Sequence, residues 1–241
     1  MKCCMNGMQL LDSDQEIPPA VDTVQMKWRF YYEEPDNATQ NAFFLFFETE
    51  ANHGEYDVPK CAAGTPASEC VHEIRAKVQL EKTGRACEDR ADPWCAPAVG
   101  GSYPQADADG HAFFKFVHIS PHCHGPSCIS MELIDDDRNE TICKVHPVYG
   151  VGDAAMNESG YAAGILPCLW GSAEEGLELP PVFPAGANVS AIKRSNSTLK
   201  HFGVMAHWQM RAVWATEREY HEYRAYVDAR NAEQIAEGRS I

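Results

Sequence analysis

The sequence predicts an all-β fold: an antiparallel, jelly-roll-like β-sandwich with long disulfide-bearing loops and one C-terminal α-helix. Many short stretches alternate polar with apolar residues or are rich in aromatic ones, and turns containing Gly or Pro separate them. No helical period appears before residue 215. We therefore expect an irregular segment at 1–23, the sandwich at 24–214 and the helix at 215–241.

Nine stretches have strand character, and they are, in chain order, 24–32, 42–48, 71–80, 111–119, 128–135, 140–146, 161–166, 187–194 and 203–214. The stretch 71–80 alternates so regularly that we expect one of its faces to be solvated. The stretch 42–48 is nearly all apolar, which predicts a more buried strand. Two long loops, 50–69 and 82–110, carry Cys, Gly and Pro.

The C-terminal segment has the signals of a helix of about twenty residues. Thr216 and Glu219 form a capping-box pattern, and Gly238 is a stop signal. The apolar stripe between them consists of Tyr220, Tyr223, Tyr226, Val227, Ala232 and Ile235. This stripe packs either on its own sandwich or on another subunit, and the second alternative predicts a homo-oligomer.

The charge of the chain excludes several kinds of partner. Lys and Arg number 20 against 35 Asp and Glu, a net charge of −15. Nucleic acids and anionic membrane surfaces attract clustered positive charge, so we expect neither as a partner. The longest apolar run, 42–47, is far too short to span a bilayer.

Cysteines and glycosylation sequons indicate an extracellular protein. The chain has 10 cysteines, and Asn-x-Ser/Thr sequons begin at Asn37, Asn139, Asn157, Asn188 and Asn196. The alternative is a cytosolic protein that binds zinc through cysteines, but no C-x₂-C pair repeats. The first residues contain no apolar segment of the signal-peptide type, so we expect the numbering to begin inside a longer precursor.

Nearest-neighbour pairing of the cysteines predicts three disulfides. They are Cys61–Cys70, Cys87–Cys95 and Cys123–Cys128. Cys3 and Cys4 are left without an assigned partner.

One short stretch has the spacing of a metal site. His118, His122 and His124 follow an apolar run, and the period of two in an extended chain places them on one face together with Ser120. A His-x-His pair on a strand can present two imidazoles to one ion, and imidazole suits copper, zinc, nickel and iron. The alternative is a polar strand end with solvated histidines.

From His122 onward the motifs resemble those of the plant stress-up-regulated nodulin family. The motifs are His122-Cys123-His124-Gly125, Ile142-Cys143, Pro147-Val148-Tyr149-Gly150, Asn157-Glu158-Ser159-Gly160-Tyr161, Cys168 and His201-Phe202-Gly203-Val204-Met205. They occur in the family's order, and the resemblance is strongest over 118–214. It implies a disulfide between Cys143 and Cys168, because the family also has cysteine at those two positions.

The same elements are more remotely similar to the C-terminal copper domain of peptidylglycine and dopamine monooxygenases. That resemblance implies a copper ion held by His122, His124 and Met205, and two imidazoles with a soft thioether are a ligand set suited to copper. We expect His201 to lie behind these ligands and either to orient one of them or to hold the bound water. The monooxygenases also need a second copper domain, and the other histidines of this chain form no second paired cluster.

Three functions remain open at this point. The first is an extracellular copper-binding domain, and the second is a structural, self-assembling glycoprotein without activity. The third is a complete oxygenase whose partner domain lies outside this chain. A hydrolase is not supported, because no G-x-S-x-G nucleophile motif occurs.

Overall fold

The computed structural model of the protein describes residues 4–5, 8–9, 23, 25–32, 34, 42–49, 55–83, 113–153, 159–160 and 162–238. The strands in these residues are β1 (Cys4–Met5), β2 (Met8–Gln9), β3 (Phe43–Glu48), β4 (Glu55–Val58), β5 (Val71–Gln79), β6 (Phe113–Cys123), β7 (Cys128–Asp135), β8 (Glu140–Val145), β9 (Val148–Tyr149), β10 (Ala162–Gly164), β11 (Cys168–Leu169), β12 (Val182–Pro184), β13 (Asn188–Asn196) and β14 (His201–Ala215). The helix α1 spans Glu217–Ala236, and short 3₁₀ turns lie at Ala67–Glu69, Leu80–Lys82 and Ala173–Glu175.

Two antiparallel sheets form the sandwich and confirm the predicted fold class. One sheet has the strand order β5-β13-β7-β8. The other has the order β11-β6-β14-β3, with β12 also paired to β6 and β4 also paired to β14. The sheets are not closed into a barrel, and β14 lies at the centre of the second sheet between β6 and β3.

Alternate side chains of both sheets fill the space between them. Phe114 and Phe116 from β6, and Trp208 and Met210 from β14, are 0% exposed, as is Leu133 from the opposite sheet. Burial of each such side chain stabilises the fold by roughly 1.5–3 kcal/mol. The residues between them along β6 and β14 therefore point away from the core, onto what we call the outer face of the second sheet.

The strand predicted at 24–32 is wrong. Residues 25–32 belong to no strand, and the side chains of Met26, Trp28, Phe30 and Tyr32 are 70–88% exposed. Their alternating pattern is that of a half-buried strand, but a strand also needs an edge to pair with, and the described sheets do not supply one to this segment. In contrast, the predicted loop 50–69 contains an additional strand, β4.

The three predicted disulfides that the structure describes are confirmed. They join Cys61 to Cys70, Cys123 to Cys128 and Cys143 to Cys168. The last ties β8 to β11 and so links the edges of the two sheets. The predicted pair Cys87–Cys95 and the open cases of Cys3 and Cys4 fall outside the side chains that the structure describes.

Replacing Cys143 and Cys168 by Ala is expected to lower the free energy of unfolding by about 3 kcal/mol, because the bond closes a 25-residue separation and restricts the unfolded chain. Urea unfolding would measure the loss. The matched control is the pair Cys61→Ala/Cys70→Ala, whose separation of 9 residues predicts a smaller loss. A larger loss in the control would contradict this ranking.

The helix α1 packs on its own sandwich, which was one of the two alternatives. Thr216 and Glu219 form the predicted capping box. The Tyr220 ring stacks on Phe113 with centroids 5.2 Å apart, and the Tyr223 ring lies 6.2 Å from that of Phe183. These contacts use the aromatic half of the predicted stripe, so the homo-oligomer through this helix stays an untested prediction.

Ion pairs fix the helix against both sheets. Arg224 forms a bidentate pair with Glu140 of β8, with N–O distances of 2.7 and 2.9 Å. Lys115 of β6 donates to Glu219 at 2.7 Å. Because one pair reaches each sheet, α1 closes one end of the sandwich.

No helix in the described part of the chain is long and apolar enough to cross a membrane.

Candidate metal centre

The His-x-His pair lies where β6 ends, on the outer face. Along β6 the buried residues Ile119 and Cys123 alternate with His118 and His122, which are half-buried, and His124 follows the strand on the same side. The shared face is therefore confirmed. β6 extends to Cys123, beyond the predicted end at 119, because β14 continues to pair with it.

The disulfide beside the pair lies on the opposite side of the sheet. Cys123 and Cys128 are 8% and 1% exposed and belong to the core. Their bond spans the turn that follows His124. Because Cys123 is bonded and points inward, its sulfur does not compete with the two imidazoles for an ion.

The two imidazoles are spaced as ligands of one ion would be. The ring centroids of His122 and His124 are 5.3 Å apart, with the planes at 71°. Two rings bound to one tetrahedral ion through metal–nitrogen bonds of about 2.0–2.1 Å would have centroids about 5 Å apart. The observed arrangement fits that spacing.

A backbone carbonyl determines which ring nitrogen of His124 carries the hydrogen. The Nδ1 of His124 lies 2.7 Å from the carbonyl oxygen of Gly203, so Nδ1 carries the hydrogen and donates it. The lone pair is then on Nε2. Metal-binding histidines typically donate their second ring N–H to such an oxygen, which sets both tautomer and ring orientation.

His122 has a buried ring nitrogen without a partner. Its Nε2 is shielded from solvent and has no hydrogen-bond partner among the described residues. Burial, and then the charges of His124 and Lys193, lower the pKa of His122, which favours the neutral imidazole that binds metals. Leaving a buried polar atom unpaired costs roughly 1–3 kcal/mol, and a metal ion would remove that cost.

The strand register brings Met205 close to the end of β6. His207 pairs with His122 and Ala206 with Cys123, the last residue of β6, so continuing this register by one residue would set Met205 opposite His124. Val204 and Ala206 are buried, and the half-buried Met205 points to the outer face between them. Gly203 has φ +64° in an irregular part of β14, a conformation that glycine adopts without strain.

The hydrogen bond from the Nδ1 of His124 goes to the Gly203 carbonyl, and this contact does not test the role predicted for His201. His201 is 4% exposed and lies opposite Val58 of β4. Its predicted position behind the ligands is compatible with this burial, and its role there stays a prediction.

Sequence reasoning missed two residues of this region, and the first is His207. Its ring is parallel to that of His122, with an angle of 2° and centroids 4.3 Å apart. The signal was present in the sequence, because His207 follows Met205 by two residues and the period of a strand places both on one face.

The second missed residue is Lys193 of β13, in the opposite sheet. It is 0% exposed, and its Nζ donates a hydrogen bond of 2.7 Å to the carbonyl oxygen of Met205. The Nζ also lies 5.2 Å from the centroid of the Tyr56 ring. Burial lowers the pKa of Lys193 to about 7.

Metal ligands of the commonest types do not gather elsewhere in the described residues. The described residues contain no group of three or more His, Cys, Asp or Glu side chains arranged to hold a metal ion. Met205 belongs to none of these four types, and it is the further ligand that the resemblance implies beside His122 and His124.

Three of the five predicted glycosylation sequons fall in described residues. Asn139 is exposed in the turn between β7 and β8, and Asn196 is exposed at the end of β13. Asn188 is half-buried, and its Nδ2 donates to Asp137 at 3.1 Å, so a glycan there would leave one N–H for that bond. Asn37 and Asn157 lie outside the described residues.

In comparisons with known proteins, no family model, no curated protein and no solved structure matches this chain. The resemblance to the nodulin family and to the copper monooxygenases therefore rests on the motifs quoted above and stays a hypothesis.

Proposed function

We propose that the chain is an extracellular, N-glycosylated domain that binds one copper ion through His122, His124 and Met205, related to the catalytic half of copper monooxygenases. The observation that carries this proposal is the buried, unpartnered Nε2 of His122 beside an imidazole whose tautomer leaves its own Nε2 lone pair available. The donor set is two imidazoles and a thioether, and the thioether favours copper over harder ions.

Copper bound there would supply a centre that changes between Cu(I) and Cu(II). His122, His124 and Met205 would hold it, and contacts within the chain orient two of them: the Gly203 carbonyl accepts from His124, and the His207 ring stacks on His122. Three protein ligands leave one position for water or a substrate, as in reactive rather than sealed metal sites.

The three disulfides support an oxidising compartment.

Copper stoichiometry tests the proposal directly. Wild-type protein dialysed against copper is expected to retain one ion per chain, and His122→Ala/His124→Ala is expected to retain none, because both proposed imidazole ligands are removed and His207 remains as a single imidazole. Elemental analysis measures both. The matched control, His118→Ala/His221→Ala, removes two histidines outside the pair and should leave the stoichiometry unchanged. Wild type that binds no copper would refute the proposal.

A structural, self-assembling glycoprotein is the second candidate, and one observation favours it. Residues 25–32 expose Met26, Trp28, Phe30, Tyr31 and Tyr32, and contiguous exposed apolar side chains of this kind mark interaction surfaces. In that case the histidine pair would be part of the packing, and the copper measurement above would give no retained ion.

A further inference from the structure

Lys193 is the most unusual residue of the core. Its neighbours on the inner face of the first sheet are apolar: Ile74 of β5 and Met131 of β7 occupy the paired positions. Val189 and Ala191, also 0% exposed, precede it on the same face of β13. An apolar residue would be expected at this position from the pattern alone.

The environment of Lys193 does not stabilise its charge well. Within the described part of the chain it forms no ion pair, and its polar contacts are the Met205 carbonyl and the face of the Tyr56 ring. Burial of a cation without a carboxylate partner is costly. Stability alone therefore does not account for lysine at this position, which points to a role at the group that it contacts.

That contact lies at the irregular part of β14 next to the candidate ligands. The register between β14 and β4 shifts between His201 and Val204, and Gly203 has a positive φ. Two carbonyls of this segment are held from different directions. The Gly203 oxygen accepts from His124 of β6, and the Met205 oxygen accepts from Lys193 of the opposite sheet.

We propose that Lys193 is a positioning residue of the metal centre: its hydrogen bond to the Met205 carbonyl holds residues 203–205 so that the Gly203 oxygen meets His124 and the Met205 side chain reaches the outer face. The proposal rests on the proposed function in taking these side chains as copper ligands. The part of the proposal that concerns the backbone, in which this hydrogen bond fixes the position of residues 203–205, applies to the metal-free protein as well.

The first test uses metal-free protein, so that it does not depend on copper. In Lys193→Met the amides of Val204, Met205 and Ala206 are expected to exchange about tenfold faster or more, since the hydrogen bond from the Lys193 Nζ to this segment is lost. Nitrogen-15 NMR should show His124 as the Nδ1–H tautomer in wild type and as a mixture of tautomers in the variant. The amides of Met210 and Ala212, further along β14, should keep their wild-type rates.

The second test uses the copper-loaded protein. X-ray absorption of the Cu(I) form is expected to show a copper–sulfur contribution in wild type that is reduced in Lys193→Met, while the histidine contribution remains. Lys200→Met is the matched control, because it removes an exposed lysine close to β14. If Lys193→Met does not fold, Lys193→Gln keeps a donor at that position and should lie between wild type and the expected loss.

The outcomes separate the two proposals. Unchanged tautomer and unchanged exchange at 204–206 in both Lys193 variants would overturn the positioning role, whatever copper does. Wild type that binds no copper, together with the expected NMR changes, would refute the proposed function and leave the mechanical role of Lys193 standing. A retained copper–sulfur contribution in Lys193→Met would overturn its role toward Met205.

Discussion

Raising the pH from 7 to 10 is expected to increase the free energy of unfolding of the metal-free protein by roughly 3 kcal/mol, with a slope that approaches about 1.4 kcal/mol per pH unit in the middle of this range. The cause is Lys193, whose pKa burial lowers to about 7, whereas an unfolded lysine titrates near its ordinary value of about 10.4. Between these values the unfolded chain binds the proton and the folded chain does not, so a higher pH favours the folded state. Below pH 7 both states are protonated and this gain is absent.

Urea unfolding between pH 7 and 10 measures this slope, with Lys193→Met as the reference. The variant has no buried amine, so its stability should vary much less over the same range. Above pH 10 the trend should reverse, because burial raises the pKa of Tyr223 to about 12 and the unfolded tyrosine ionises first. Equal slopes in wild type and Lys193→Met would show that Lys193 is not the titrating group.

Met205→Leu is expected to weaken Cu(I) binding about tenfold or more while leaving Cu(II) binding nearly unchanged, because the soft thioether prefers the reduced ion. The reduction potential of the bound copper should then fall by about 60 mV or more, since 59 mV corresponds to a tenfold change for one electron. Leucine is close to methionine in volume and Met205 is half-buried, so the fold should be little affected.

Potentiometric titration followed by the Cu(II) spectrum measures the change. Met210→Leu is the matched control: Met210 lies on the same strand but is 0% exposed and faces the core. It should alter stability more than it alters the potential. A potential that is the same in wild type and in Met205→Leu would remove Met205 from the ligand set.

The sequence predicted the fold where local pattern and tertiary packing agree. The alternation in 71–80 became β5, with its half-exposed pattern, and the capping box at Thr216 became the start of α1. The same pattern was misleading at 25–32, because pairing depends on an available sheet edge, which a single stretch of sequence does not specify.

The candidate site was predictable in part for a similar reason. His122 and His124 share a strand, so their common face follows from spacing alone. The contacts of Lys193 and the pairing of His207 with His122 depend on which strands are neighbours and in which register, and neither property is local. A lone lysine in an alternating stretch gives no indication that its amine crosses to the opposite sheet.

The pairing of β6 with β14 also has a consequence for the order in which the proposed copper ligands come together during folding. The two histidines precede Met205 by roughly eighty residues, and they meet it only through the pairing of these two strands. Contacts between such distant segments carry a large loop-closure entropy and form slowly. Under the proposed function, a chain emerging from the ribosome would therefore expose the two histidine ligands long before Met205 is synthesised. Copper present at that stage would be held in its oxidised form by imidazoles alone, and the arrival of Met205 would mark the completion of the sandwich.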